Sequence, residues 1–116
     1  MPIVPTKEIL GRAFQERYGV GAFNMVNDLP LEAVLAASEL KAAVIIQTSV
    51  KTVKSIGLNM LYALFRETAS PLPVPVSLHL DHCPERELIT ACLKKGWNSV
   101  LFDGSHLAVE GGGRPL

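Results

Sequence analysis

Apolar residues recur along the chain in two alternating rhythms. Residues 7–18 follow a helical one: Ile9, Leu10, Ala13 and Phe14 share a stripe, with Thr6 placed to cap the start and Gly19 just past the end. A short apolar run, VGAFNMVN at 20–27, then closes on polar residues. Asp28 is positioned to cap a second helix that tolerates Pro30 in its first turn and turns Leu31, Val34, Leu35 and Ser38 inward. The β-branched run AAVIIQTS at 42–49 also ends polar, and a third helix over 55–69 carries Leu58, Leu61, Tyr62 and Phe65 on one face. The proline-rich SPLPVP delimits the strand VSLHL. Cys83-Pro84 then opens a helix with Pro84 at its first position, Glu85 and Glu87 near the N-terminus, Lys94 and Lys95 near the C-terminus, and Gly96 as the stop. Its inward face is Leu88, Ile89, Cys92 and Leu93, and SVLFDGS follows as a fourth strand.

Short apolar strands alternating with helices predict an α/β fold with a parallel sheet and right-handed crossovers. Strand starts are spaced by about 22 to 34 residues, within the βαβ range. Two architectures fit: a four-stranded open sandwich, or half of a (β/α)₈ barrel. Each strand ends in polar groups, namely Asn24 and Asn27, Thr48 and Ser49, Asp81 and His82, Asp103 and Ser105. A parallel sheet gathers these at its C-terminal edge, where both architectures bind ligands. A complete barrel needs about 250 residues, so the barrel reading makes this 116-residue chain incomplete. The glycine run in the terminal GGGRPL interrupts the rhythm where a fourth crossover helix is due, since each glycine costs a helix about 1 kcal/mol relative to alanine. That end reads as a truncation; the plainer alternative is a flexible tail on a complete small domain.

Composition narrows the partners. Hydrophobic residues make up 48% and charged residues 19%, and eleven cations balance eleven anions. A net charge of zero gives no support for nucleic acid or an anionic membrane as partner. Cys83 and Cys92 lie nine residues apart, which matches no zinc-ribbon or CxxC spacing. On one helix that gap sets them about 180° apart, so they are expected as reduced thiols. The N-terminus lacks the pattern of a signal peptide and no run approaches the length of a membrane span. The expectation is a soluble, cytoplasmic protein.

The titratable cluster is His79-Leu80-Asp81-His82. In a strand, His79 and Asp81 share one face, and His82 points with Leu80 if the strand extends that far. Imidazole is a good zinc ligand, and a neighbouring carboxylate can orient a ligand or act as acid–base. The plainer readings are a satisfied core histidine at position 79 and a helix cap at Asp81. Hydrolases of the metallo-β-lactamase type use a His-x-His-x-Asp-His string, but Ser77 stands at the first position here and their largely antiparallel sheets contradict the alternation.

Four stretches in order, GVGAFNMVN, AAVIIQTS, VPVSLHLDHC and SVLFDGSHL, make the chain resemble the class II, metal-dependent fructose-bisphosphate aldolases and their ketose-bisphosphate relatives. HLDH followed some twenty residues later by DGSH is the most specific pair. The resemblance covers residues 7–110, nearly all of the chain but less than half of a family member. It implies that 1–110 form the first four strands of a (β/α)₈ barrel, with 111–116 an atypical tail. By the same resemblance His82 is a ligand of a catalytic Zn²⁺, Asp81 is the acid–base residue, and Asp103 contributes to a second metal position. Asn24 and Ser49 match substrate-contacting residues; Ser105 and His106 belong to the motif without an assigned role. The reaction implied is retro-aldol cleavage of fructose- or tagatose-1,6-bisphosphate to dihydroxyacetone phosphate and an aldehyde through a zinc-stabilised enediolate, in a homodimer. The family's other two zinc histidines, its enediolate-handling glutamate and its phosphate loop come from later strands. The expectation is therefore a fragment with little activity alone. A non-catalytic truncated product and a small metal-binding α/β module are the alternatives.

Overall fold

The computed structural model describes residues 3–105, so the expectations for His106 and for the tail at 111–116 lie outside the described residues. Helix α1 (Thr6–Glu16) comes first, followed by β1 (Gly21–Asn24), α2 (Leu31–Glu39) and β2 (Val44–Ser49). Helices α3 (Val50–Ile56) and α4 (Leu58–Ala69) lead to β3 (Val76–Cys83), then α5 (Arg86–Lys95) and β4 (Ser99–Phe102). The four strands form one sheet in the order β1-β2-β3-β4, every pair parallel. No helix among the described residues is long and apolar enough to cross a membrane.

Strand alternation sorts the sheet into two faces. Val44, Ile46, Val76, Leu78 and Leu80 enter the core with Ala33 and Ala37 of α2, Val53 of α3, Leu61 and Phe65 of α4, Cys92 of α5 and Trp97. The opposite face is more polar: Gln47 and Ser49 of β2 stand in register with His79 and Asp81 of β3. Helix α1 closes the N-terminal end of that face, because Val4 N–H donates to the Val76 carbonyl at 2.9 Å and Thr6 reaches Ser77. Helices cover one face of the sheet and the N-terminal segment closes one end of the other, as a barrel segment has its outside and its bottom covered.

Several local expectations are corrected. Thr6 is not the cap of α1; Pro5 holds the N-cap position and Thr6 is a buried first-turn residue whose hydroxyl turns into the sheet. Proline at this boundary sets φ near −59° by its ring and leaves the threonine free for tertiary contact. Of the α1 stripe only Ile9 and Ala13 are buried, while Phe14 is 86% exposed. Pro30, not Asp28, stands at the N-cap of α2. That helix buries Ala33 and Ala37 and leaves Leu31 (68% exposed), Leu35 and Ser38 outside. The helix packs against β1 and β2, and the small side chains of Ala33 and Ala37 permit a close helix–sheet approach. The single helix expected over 55–69 is two helices parted at Gly57, whose φ of 98° excludes a continuous helix. Strand β3 runs on through Cys83, and Pro84 precedes the α5 N-cap Glu85 instead of sitting inside the helix. Leu93 is exposed; Cys92 carries the burial of α5. Both cysteines are free and buried, and Cys83 lies on a strand and not on the helix.

Candidate active site

The C-terminal end of β3 departs from regular alternation. A register irregularity between Leu80 and Cys83 marks a bulge against β4, and His82 within it has φ of 46°, left-handed for a non-glycine residue. Such a conformation costs about 1–3 kcal/mol and persists where surrounding structure over-determines it. The bulge overturns the expectation that His82 points with Leu80. It brings His82 beside Asp81 instead: Nε2 lies 3.6 Å from Asp81 Oδ2, and Nδ1 lies 3.5 Å from Asp103 Oδ2. His82 is 68% exposed, against 28% for Asp81 and 20% for Asp103, so the imidazole stands at the rim over two more enclosed carboxylates. Asp103 is tied from below, its N–H donating to the Cys83 carbonyl at 2.9 Å and its Oδ1 accepting from Ser105 N–H at 2.9 Å.

Asp81 is flanked on its other side by His79, whose Nε2 is 3.5 Å from Oδ1. His79 Nδ1 is 2.7 Å from Ser99 Oγ, which in turn is 2.7 Å from Thr6 Oγ1, and Thr6 donates to Ser77 at 3.0 Å. On the helical side Trp97 Nε1–H donates to Thr48 Oγ1 at 3.0 Å, and Thr48 donates to the His79 carbonyl at 3.0 Å. His79 is thus held by its ring from one face of the sheet and by its backbone from the other. The sequence marks Thr48 by its place at a strand end, and Ser77 only as the position where a His-x-His-x-Asp-His string would need a histidine. It does not mark Ser99, and it marks Thr6 only as a cap, although a polar residue repeating on the face of an apolar strand is a readable signal.

The other two candidates stand differently. Ser49 is in register with Asp81 on the neighbouring strand. Its hydroxyl also supports the local backbone, accepting from Thr52 N–H at 3.1 Å to cap α3. Asn24 ends β1, exposed and in register with Gln47, one strand further from Asp81. The structure therefore brings Asp81, His82 and Asp103 together, sets Ser49 beside them, and leaves Asn24 apart.

A catalytic zinc takes about three protein ligands. Among the described residues no group of three or more His, Cys, Asp or Glu side chains is arranged to hold a metal ion. Each His82 nitrogen already faces a carboxylate. One imidazole with two carboxylates that contact it does not make a zinc site; these residues fit only as part of a ligand set completed elsewhere.

Comparison with known proteins agrees with this partial character. The family model described as fructose-bisphosphate aldolase class-II matches residues 4–111. A fructose-bisphosphate aldolase of Helicobacter pylori is 40% identical over 93% of this chain and 36% of its own length. A sulfofructosephosphate aldolase of Alkalicoccus urumqiensis is 36% identical over 95% of this chain and 39% of its own. Among solved structures, the YdjI aldolase from Escherichia coli K12 superposes with a TM-score of 0.75 at 27% identity, covering 89% of this chain and 39% of that one. The chain thus spans well under half the length of the relatives it matches, and its sheet corresponds to the N-terminal half of a (β/α)₈ barrel.

Proposed function

The chain belongs to the class-II fructose-bisphosphate aldolase family, and from that premise we propose that it supplies the first part of an aldolase active site acting on a ketose bisphosphate. The observation that carries the reading is the meeting of Asp81, His82 and Asp103 at the C-terminal edge of the parallel sheet. Asp81 is the acid–base residue. In cleavage it takes the proton of the substrate's C4 hydroxyl; the C3–C4 bond breaks, the hydroxyl carbon becomes the aldehyde, and the electron pair stays with the ketone half. In condensation the same carboxyl returns the proton. Its place between two imidazoles suits that role, because both neighbours can hold its oxygens in orientation. His82 and Asp103 would contribute to metal positions, and zinc held there with ligands from elsewhere would polarise the substrate carbonyl. Ser49, beside Asp81, and Asn24 contact substrate. Products are dihydroxyacetone phosphate and an aldehyde. Two buried free thiols fit a reducing, cytoplasmic setting, and the zero net charge favours neither nucleic acid nor membrane.

Since the ligand set is incomplete among the described residues, the 116-residue chain alone is expected to be catalytically silent. In a coupled assay with zinc and fructose 1,6-bisphosphate it should show background turnover; activity abolished by Asp81→Ala would sink that expectation. The site itself is tested by a chimaera joining residues 1–105 to the remaining C-terminal portion of the Helicobacter pylori enzyme. That chimaera should cleave the bisphosphate, and Asp81→Ala in it should lower kcat by about 10²–10⁴. A folded, zinc-loaded chimaera whose activity ignores Asp81 would overturn the assignment.

A further inference from the structure

We propose that His79 is a positioning residue for Asp81, held in place by a chain of hydroxyls that begins on α1. The proposal rests on the reading of Asp81 as the acid–base group. His79 lies on the inner face of β3, 18% exposed, with its two nitrogens aimed at different partners. Nδ1 is committed to Ser99 at 2.7 Å. Ser99 Oγ is fixed by Thr6 at 2.7 Å, and Thr6 is anchored by its 3.0 Å bond to Ser77. With Nδ1 occupied, the ring cannot flip without losing that bond, and Nε2 is left directed at Asp81 Oδ1, 3.5 Å away. This is longer than a formed hydrogen bond, as contacts in a substrate-free site often are. A proton on either member of the pair makes it attractive. The backbone is fixed as well, by Thr48 donating to the His79 carbonyl and Trp97 donating to Thr48.

A core histidine that merely satisfies Ser99 would need only Nδ1. The observed ring also directs Nε2 at the carboxylate, 3.5 Å away, and that second approach separates positioning from filling. Thr6 matters for the same reason: a helix-start threonine turned inward, not used as a cap, links the N-terminal end of the sheet to the group at its C-terminal edge.

Two substitutions separate the ends of the ring. Asparagine reproduces the Nδ1 position and can keep Ser99 satisfied, but it does not reach Asp81. Glutamine reproduces the Nε2 position and can donate to Asp81, but it abandons Ser99. The readout is the Asp81 side-chain rotamer in the full chain, from three-bond couplings in labelled protein, alongside the amide spectrum as a check of fold. Wild type and His79→Gln should hold one Asp81 rotamer, and His79→Asn should show averaged couplings with the fold retained. Ser99→Ala should release the His79 ring, and Ser99→Thr should restore it. A fixed rotamer in His79→Asn, or unfolding of His79→Gln alone, would overturn the proposal, because either result makes Ser99 the only partner that matters. Sugar-phosphate turnover is not read here, so failure of the aldolase reading would show in the chimaera's assay and failure of the positioning role in these couplings.

Discussion

At position 82 the sequence chooses a residue that the backbone disfavours. A histidine at φ 46° is held there by the β3 bulge, and the bulge is what sets its ring beside Asp81 and Asp103. Asparagine tolerates the left-handed region better, since its short polar side chain bonds locally. The contacts that His82 loses on replacement are long, 3.6 and 3.5 Å, and made by a largely exposed ring, so they are worth little. His82→Asn should therefore raise stability by about 0.5 kcal/mol, the small fraction of the strain that a better-suited residue recovers. The urea midpoint of the chain should move up, while the same change in the chimaera should remove most of its turnover. A midpoint that falls would show that His82 stabilises its own loop and would remove the strain argument. Cys92 makes a second residue-scale case. Burial, then the neighbouring Cys83 thiol, pushes its pKa from 9.0 up to about 11. Between those values an unfolded chain has lost the proton that the folded chain keeps, so stability is full below pH 9 and falls as pH rises toward 11. The expected slope is at most about 1.4 kcal/mol per pH unit. Thermal unfolding of the wild type should show this alkaline loss and Cys92→Ala should lack it; equal alkaline slopes in both would refute the thiol as its cause.

Elements are stabilised at their ends by contacts that differ in how readable they are. Gly96 closes α5 with φ of 138°, and a Cβ there would run into the Tyr62 hydroxyl and lie 2.6 Å from its ring carbon Cζ. Tyr62 cannot easily move aside, since its ring packs against Trp97 at 5.7 Å between centroids and Phe65 at 6.4 Å. Gly96→Ala should cost about 1–3 kcal/mol, measured as a lower denaturation midpoint with unchanged slope. A loss of a few tenths would mean that Tyr62 yields. Gly96 as a stop was legible because a glycine after two lysines ends a helix for reasons local to the chain. The strands were legible for the same kind of reason: β-branched runs bounded by glycine and proline have few alternatives. What escaped depended on partners far away in sequence. The stripe on α2 looked like Leu31 and Leu35, yet the sheet selects Ala33 and Ala37. Thr6 looked like a cap because its nearest neighbours suggested one, while its partners Ser77 and Ser99 are 71 and 93 residues away. The bulge at His82 could not be read either, since strand period 2 assumes that no residue is inserted. Asp81, His82 and Asp103 were thus identified by motif, while their actual contacts follow from that irregularity.

For the whole molecule, the decisive feature is what four strands leave uncovered. Parallel sheets normally occur with both faces covered, and a closed barrel has no edge strands. Here β1 and β4 each pair on one side only among the described residues. Exposed apolar side chains occur at both edges: Val26 just after β1, Leu31 and Leu35 on α2, which packs on β1, and Leu101 and Phe102 on β4. With zero net charge, long-range repulsion does not oppose association. The relatives extend well beyond this chain's match, to which they devote only 36% and 39% of their length, and in a closed (β/α)₈ barrel the edges of β1 and β4 would pair with further strands. Presented without that closure, they should drive the isolated chain to associate. Sedimentation velocity should show species heavier than 12.5 kDa growing as concentration rises. The double substitution Leu31→Lys and Leu35→Lys should shift the distribution toward monomer, because both side chains already point away from the core and charge there costs the fold little. A wild-type chain that stays monomeric and stably folded at high concentration would defeat this argument: four β/α units would then suffice as a domain, and the openness of the sheet would be tolerated instead of filled.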